Sequence, residues 1–263
     1  MSVRLAITSQ KGGVGKSTLA LNLAFTFAQM GYPTVLVDTD PQSAVNLNLA
    51  KGESEYVGLA QLIKNPDALP SLLLSTNHPN LRLLPKGRMA AKAVPAFEWA
   101  LYREGVLQKL ANHEALGDGL VLFDTPAGMG MITRAVLRVA THALTPFRPD
   151  QLNLRSMNQL METLDFIQNE ENPNLQFLGF VLNMFLRERA EDLRVAADLW
   201  RDIPMVLDTV IPFSTRFAAA QEEGLPVSAR GATAEARRFR QLAEECLQSM
   251  VTKGETHEIR QLV

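Results

Sequence analysis

The stretch Gln10-Lys11-Gly12-Gly13-Val14-Gly15-Lys16-Ser17-Thr18 constrains this chain more than any other. It follows the apolar run Val3-Arg4-Leu5-Ala6-Ile7-Thr8, which reads as a buried strand. It precedes Leu19-Ala20-Leu21-Asn22-Leu23-Ala24-Phe25, which reads as the first turns of a helix. Strand, glycine-rich turn and helix form the context that a phosphate-binding loop requires. Glycines let the backbone curl until successive N–H groups face one anion, and the helix N-terminus adds the positive end of its dipole. In such a loop Lys16 reaches the β- and γ-phosphates of a nucleotide, the Ser17 hydroxyl ligates Mg²⁺, and Thr18 is placed for the α-phosphate. The plainer reading is a glycine-rich turn with a surface lysine; the complete Gly-Lys-Ser ending between strand and helix weighs against it.

Downstream, the first helix is expected to run to Met30 and stop at Gly31. Short apolar strands follow at Thr34–Asp38, Leu81–Pro85, Leu120–Asp124, His142–Pro146, Phe177–Asn183 and Val206–Pro212. Between them the sequence predicts short helices over Ser43–Leu49 and Leu59–Ile63, and longer ones over Ala96–Ala111, Gln151–Gln168 and Ala234–Met250. Strands alternating with helices argue for an α/β fold: a doubly wound, mainly parallel sheet covered on both faces. No linker divides the chain, so residues 1–252 are expected to form one nucleotide-binding domain and 253–263 a polar, frayed tail. Ligands of open parallel sheets sit beyond the carboxyl ends of the strands, which places Asp38, Asp40 and Asp124 beside the loop. Two carboxylates as close as Asp38 and Asp40 repel unless a cation lies between them, which supports Mg²⁺ nearby without assigning roles. Alone, Asp38–Gln42 also reads as an acidic turn opened by Asp-Pro, and Asp124 as a strand-end turn or helix cap.

Composition narrows the class. A chain of 263 residues, 46% hydrophobic and 21% charged, is long enough to bury a sizeable sheet. Its net charge of −2 gives no global reason to bind nucleic acid, so DNA binding requires a local patch. The single Cys246 excludes an internal disulfide and a cysteine-ligated metal site within one chain. It also counts against iron-protein reductases that share a cluster through cysteines, and against glutamine amidotransferases, which need a cysteine nucleophile. Val3–Thr8 reads as a strand rather than a leader peptide, and no apolar run is long enough to span a bilayer, so the chain reads as cytoplasmic.

The loop departs from the ordinary pattern: Gln10 stands where glycine is usual, and a second lysine, Lys11, opens it. A cation there cannot easily fold back onto its own nucleotide, yet can reach a phosphate held by a facing subunit. Lys11-Gly12-Gly13-Val14-Gly15-Lys16-Ser17 resembles the deviant Walker A motif of the ParA/MinD family of ATPases. The resemblance implies ATP and Mg²⁺ as cofactors and a homodimer with nucleotide sandwiched between subunits, where Lys11 acts across the interface. Asp38-Thr39-Asp40-Pro41-Gln42 is similar to the family's first switch, which implies that Asp40 orients the attacking water and Asp38 lies near the metal. Asp124-Thr125-Pro126-Ala127 resembles a Walker B segment lacking the family's second proline, which implies a metal role for Asp124 and a γ-phosphate-sensing switch around Gly128 and Gly130. The match also implies that Asn183 and the Pro212-Phe213 loop hold adenine; a capped strand end accounts for Asn183 equally well.

The resemblance has two branches, one binding nonspecific DNA as the ATP dimer and one binding membrane through a basic C-terminal helix. Arg187, Arg189 and Arg216 match positions where DNA-binding relatives are basic, and Arg237, Arg238 and Arg240 form a further cluster. Guanidinium forks suit phosphates, but Glu188, Glu191, Asp192, Glu222, Glu223 and Glu235 are interspersed, and intramolecular ion pairs are the alternative. The final segment lacks a wide apolar face opposite a basic one, which counts against membrane. The chain therefore looks like a small ParA-type ATPase that positions a plasmid, chromosome or intracellular assembly on the nucleoid, with hydrolysis stimulated by a ParB-like or cargo-adaptor partner. No helix-turn-helix segment precedes Val3, so sequence-specific DNA reading is not expected. A MinD-like regulator of division or flagellar placement and a carboxylate-activating P-loop enzyme are the competing readings; Lys11 and the Asp38–Gln42 stretch weigh against the second.

Overall fold

The computed structural model describes residues 3–42, 57–103, 105–203 and 205–253; the expected helix over Ser43–Leu49 and all but the first residue of the expected tail lie outside them. The strands are β1 (Val3–Ile7), β2 (Thr34–Asp38), β3 (Leu74–Ser75), β4 (Leu81–Leu84), β5 (Leu120–Asp124), β6 (His142–Phe147), β7 (Gln176–Phe185) and β8 (Val206–Pro212). Among the described residues they form one eight-stranded sheet of order β3-β4-β2-β5-β1-β6-β7-β8. Each pairing is parallel except that of β3 with β4. The helices are α1 (Lys16–Gln29), α2 (Leu59–Leu62), α3 (Leu69–Leu72), α4 (Val94–Arg103), α5 (Val106–Ala111), α6 (Met131–Val139), α7 (Gln151–Glu170), α8 (Ala190–Asp202), α9 (Thr215–Glu222) and α10 (Ala234–Lys253).

The central strands are apolar throughout because both faces are covered. Period-two alternation sends Ala6, Val35, Val37, Val121 and Phe123 into a core shared with α4, α5, α6, α7 and α8. It sends Leu5, Ile7, Leu36, Leu120 and Leu122 into the opposite core, under α1 and α10. The apolar face of α10, with Phe239, Leu242, Cys246 and Met250, is fully buried there. Burial pushes the Cys246 thiol far above its ordinary pKa, so it is an inert packing group.

The expected doubly wound sheet is the observed one, with local differences. The helix expected over Ala96–Ala111 is two helices, because Gly105 adopts φ 65° at the start of α5 and turns the chain. β3 was not anticipated; two residues are too few for periodicity to register. β7 extends beyond Phe177–Asn183 at both ends and carries Gly179 at φ 146°, where a Cβ would stand 2.2 Å from the Met205 carbonyl oxygen. The strand slips register against β6 at this point. From β1 the chain crosses by α1 to β2 on one side, whereas from β5 it crosses by α6 to β6 on the other. That reversal opens a crevice at the carboxyl end of β1, where the glycine-rich loop lies.

Candidate nucleotide site

The loop is pinned at its base. The Thr8 amide donates to the Leu144 carbonyl at 3.0 Å, and the Gly128 amide donates to the Ser9 carbonyl at 2.9 Å. The Ser9 hydroxyl donates to the Lys11 carbonyl at 2.7 Å, and the Gln10 side-chain amide donates to Gln159 of α7 at 2.9 Å. Gly13 and Gly15 have φ of 74° and 85°, a conformation that explains why both are glycine. Helix α1 begins at Lys16 with no side-chain cap, which leaves its first-turn N–H groups for an anion.

Lys16 is 7% exposed. Burial lowers its pKa, and the charges of Asp124 and Asp40 oppose that shift. The strand register sets Asp124 beside Ile7 on one side and Asp38 on the other, so three strand ends converge behind the loop. Asp124 is wholly buried, and among the described residues neither carboxylate oxygen has a donor in good hydrogen-bonding geometry, the Ser17 hydroxyl lying near without aligning. Its pKa is pushed up to about 8, first by burial and then by Asp38, while the Ser17 hydroxyl and Lys16 pull the other way. An orphaned buried carboxylate beside a buried lysine fits a place that a cation completes. Among the described residues no three His, Cys, Asp or Glu side chains form a metal cage. The hard oxygen donors of Ser17, Asp38 and Asp124 therefore suit magnesium, which takes few protein ligands and completes its shell with phosphates and water.

Residues 39–42 continue from β2 over this end of the sheet. The Asp40 amide donates to Asp38 Oδ1 at 3.0 Å, and the Gln42 amide donates to Asp40 Oδ1 at 2.8 Å. The Thr39 amide and hydroxyl both donate to the Asp124 carbonyl, at 3.0 and 2.7 Å. Lys86, just past β4, donates to the Pro41 carbonyl at 2.9 Å. Sequence reasoning missed Lys86 because only the sheet order reveals that β4 flanks β2. It missed Gln159 for a similar reason, since α7 reaches the loop only in three dimensions.

Asn183 is 5% exposed, and its amide donates to the Val14 carbonyl at 2.7 Å. Pro212 and Phe213 lie at the end of the neighbouring strand, where the Phe213 amide donates to the Phe185 carbonyl at 3.0 Å and the Phe213 ring is half exposed. The arginines are mostly engaged within the molecule. Arg189 pairs with Glu191 at 2.9 Å and Asp192 at 3.6 Å, and Arg216 with Glu235 at 3.6 Å. Arg240 pairs with Glu244 at 3.1 Å, Arg238 bonds Gln241 at 3.0 Å, and Arg237 bonds the Ala232 carbonyl at 3.1 Å. Arg187 is exposed and, among the described residues, makes no ion pair. Arg187, Arg189 and Arg216 lie past the carboxyl ends of β7 and β8, at the edge of the sheet that carries the loop.

Residues 5–227 match the family model described as the CobQ/CobB/MinD/ParA nucleotide-binding domain. The chain belongs to this family. It is 32% identical to the chromosome-partitioning ATPase Soj of Thermus thermophilus, over 93% of this chain and 95% of that protein. Among solved structures it resembles cobyrinic acid a,c-diamide synthase of Mycobacterium smegmatis with bound ADP and magnesium, at 25% identity and TM-score 0.73 over 93% of both chains. It also resembles the cell division ATPase MinD of Pyrococcus furiosus, at 24% identity and TM-score 0.76 over 94% of this chain and 99% of that one.

For a member of the MinD/ParA family, Asp124 carries a testable cost. Its folded pKa of about 8 lies above its unfolded value near 3.8, so the native state holds an extra proton between those limits. The stability this contributes is present at low pH and is lost as pH rises through about 8. Asp124→Asn removes the buried charge and keeps the shape. In nucleotide-free, magnesium-free protein at pH 8 the variant should melt a few degrees above wild type, and the wild-type deficit should be smaller at pH 5 and vanish only as pH falls below the unfolded value near 3.8. Its Mg-ATP turnover should fall more than tenfold. A variant that melts lower at pH 8 would sink this account.

Proposed function

We propose that this chain is an ATP hydrolase that dimerises around ATP, binds nonspecific DNA in that state, and positions or partitions a cargo on the nucleoid of the cytoplasm. The observation that carries the reading is the different fate of two lysines in one loop. Lys16 is buried against the carboxylates, whereas Lys11 is only half-buried and, among the described residues, makes no ion pair. Lys16 serves the nucleotide of its own subunit; Lys11 is held ready for a phosphate presented from outside.

In this reading Lys16 and the loop amides hold the γ-phosphate. Ser17, Asp124 and Asp38 would hold magnesium, which when bound offsets phosphate charge. Asp38 fixes the Asp40 amide, and Lys86 and Thr39 fix the segment on either side. Asp40 then orients the attacking water and accepts its proton. Asn183, Pro212 and Phe213 are assigned to the adenine end. The arginines past β7 and β8, joined by Arg237, Arg238 and Arg240 on α10, are assigned to DNA phosphates; their acidic neighbours weaken each contact, and a dimer would present twice as many contacts to one duplex. A ParB-like or cargo-adaptor partner stimulates hydrolysis and releases the DNA. The membrane alternative has less support: the apolar face of α10 is spent in the core, and no helix among the described residues is long and apolar enough to cross a bilayer. An amidotransferase role is disfavoured by the inert burial of Cys246.

Retardation of a nonspecific duplex with ATP, with ADP and without nucleotide, at two salt concentrations, tests the reading. Retardation is expected with ATP alone, with log affinity falling against log salt by about 0.9 per phosphate contacted. Absence of binding under every condition would remove the DNA branch, and ATP-driven recruitment to anionic liposomes would put the MinD-like role in its place.

A further inference from the structure

We infer that Asn183 is a positioning residue of the phosphate loop, aiming the Gly15 N–H at the phosphates, rather than a contact made for adenine alone. The inference rests on the ATP reading above. It starts from an irregularity at the end of β7. Met184 has φ 56°, the left-handed conformation that a non-glycine residue seldom adopts, and β7 shifts register against β8 on either side of Leu182. In a regular strand consecutive side chains leave opposite faces. Here both Asn183 and Met184 come alongside Gly15. A Cβ on Gly15 would stand 2.5 Å from Asn183 Nδ2 and 3.2 Å from Met184 Cε. The strained residue therefore delivers two side chains to one point of the loop, as strain at functional sites tends to do.

The contact made there is directional. Asn183 Nδ2 donates to the Val14 carbonyl at 2.7 Å, in a buried setting where such a bond is well defined. A trans peptide unit points its C=O and its N–H in opposite directions. Holding the Val14 carbonyl toward β7 therefore turns the Gly15 N–H away from β7, to the phosphate side of the loop, immediately before Lys16. Asn183 thereby fixes the Gly15 N–H, the backbone donor that directly precedes Lys16. Because it stands on the strand whose end also bonds Phe213 through the Phe185 carbonyl, the base end and the phosphate end of the site share one support.

The test separates a phosphate role from a base role by removing the base. Affinities for ATP, GTP and inorganic tripolyphosphate are measured by calorimetry on wild type, Asn183→Leu, which keeps the shape without the donor, and Asn183→Ser. The expected result is a loss of about tenfold for ATP and tripolyphosphate alike, with the ATP-to-GTP ratio unchanged and the nucleotide-free protein still melting cooperatively, lowered by a few degrees at most. Loss for ATP with tripolyphosphate binding intact would overturn the inference and leave Asn183 as a base contact. No loss for either ligand would overturn it as well. Wild-type protein supplies an arm that needs no variant: tripolyphosphate should shift the side-chain amide resonances of Asn183 although no base is present, and unshifted resonances would count against it. Failure of wild type to bind ATP at all would instead remove the ATP reading, which the calorimetry shows directly.

Discussion

Lys16→Ala is expected to lower ATP affinity by about a thousandfold. Each charge-assisted hydrogen bond from a lysine to a phosphate oxygen contributes about 1.5–3 kcal/mol, and Lys16 is positioned for two phosphates. Two such bonds correspond to about 4 kcal/mol, or about three decades in the dissociation constant. The surroundings enlarge the effect. Lys16 is the cation whose charge reaches Asp124, and Asp38 and Asp40 lie close by. Without it an incoming triphosphate meets carboxylates with no buried positive charge between. The fold itself should survive. Burial already disfavours the ammonium, so the nucleotide-free variant should melt close to wild type. Calorimetric titration with Mg-ATP, paired with a melting curve of the nucleotide-free protein, checks both halves. ATP affinity within about threefold of wild type would mean that the loop amides alone hold the nucleotide, and the role given to Lys16 would fall.

The parts of this site that were legible in the sequence are those built from neighbours in the chain. Gly13 and Gly15 announce a curled loop because no other residue accepts their backbone angles without strain. Asp38 and Asp124 were recognisable because each closes a short run of fully buried apolar residues, and such runs end at the ligand edge of a parallel sheet. What escaped is what the topology assembles. Lys86 meets Pro41 only because β4 lies next to β2, although 45 residues separate the two in the chain. Gln159 meets Gln10 across 149 residues, and Asn183 meets Val14 across 169. No periodicity or propensity encodes those distances. The arginines show the converse limit: their number suggested a basic surface, but where a carboxylate stands within reach the guanidinium is drawn to it, and sequence spacing does not tell which carboxylates those are.

Lys11→Ala should leave the monomer's ATP affinity within about threefold of wild type and weaken ATP-dependent dimerisation by a hundredfold or more. The backbone beneath Lys11 is fixed independently of its side chain, through the Ser9 hydroxyl on its carbonyl and the Gln10–Gln159 bond one residue earlier. Truncating the side chain therefore should not disturb Lys16 or the glycines. What is lost is a half-buried cation that meets none of the molecule's own carboxylates among the described residues. In a two-fold symmetric dimer every contact occurs twice. Two lysine–phosphate contacts at about 1.5–3 kcal/mol each, shielded from water by the interface, sum to about 3–6 kcal/mol, which is two to four decades in the dimer constant. Because both contacts form only when nucleotide is present on both sides, the loss should appear with ATP or a non-hydrolysable analogue and not with ADP, whose missing γ-phosphate leaves the lysine nothing to reach. Sedimentation velocity at several protein concentrations, with each nucleotide, gives the dimer constant, and calorimetry below that concentration gives the monomer's affinity. Equal losses in the two measurements would place Lys11 on its own subunit's nucleotide and sink the cross-subunit role. A dimer constant unchanged by the substitution would do the same from the other side.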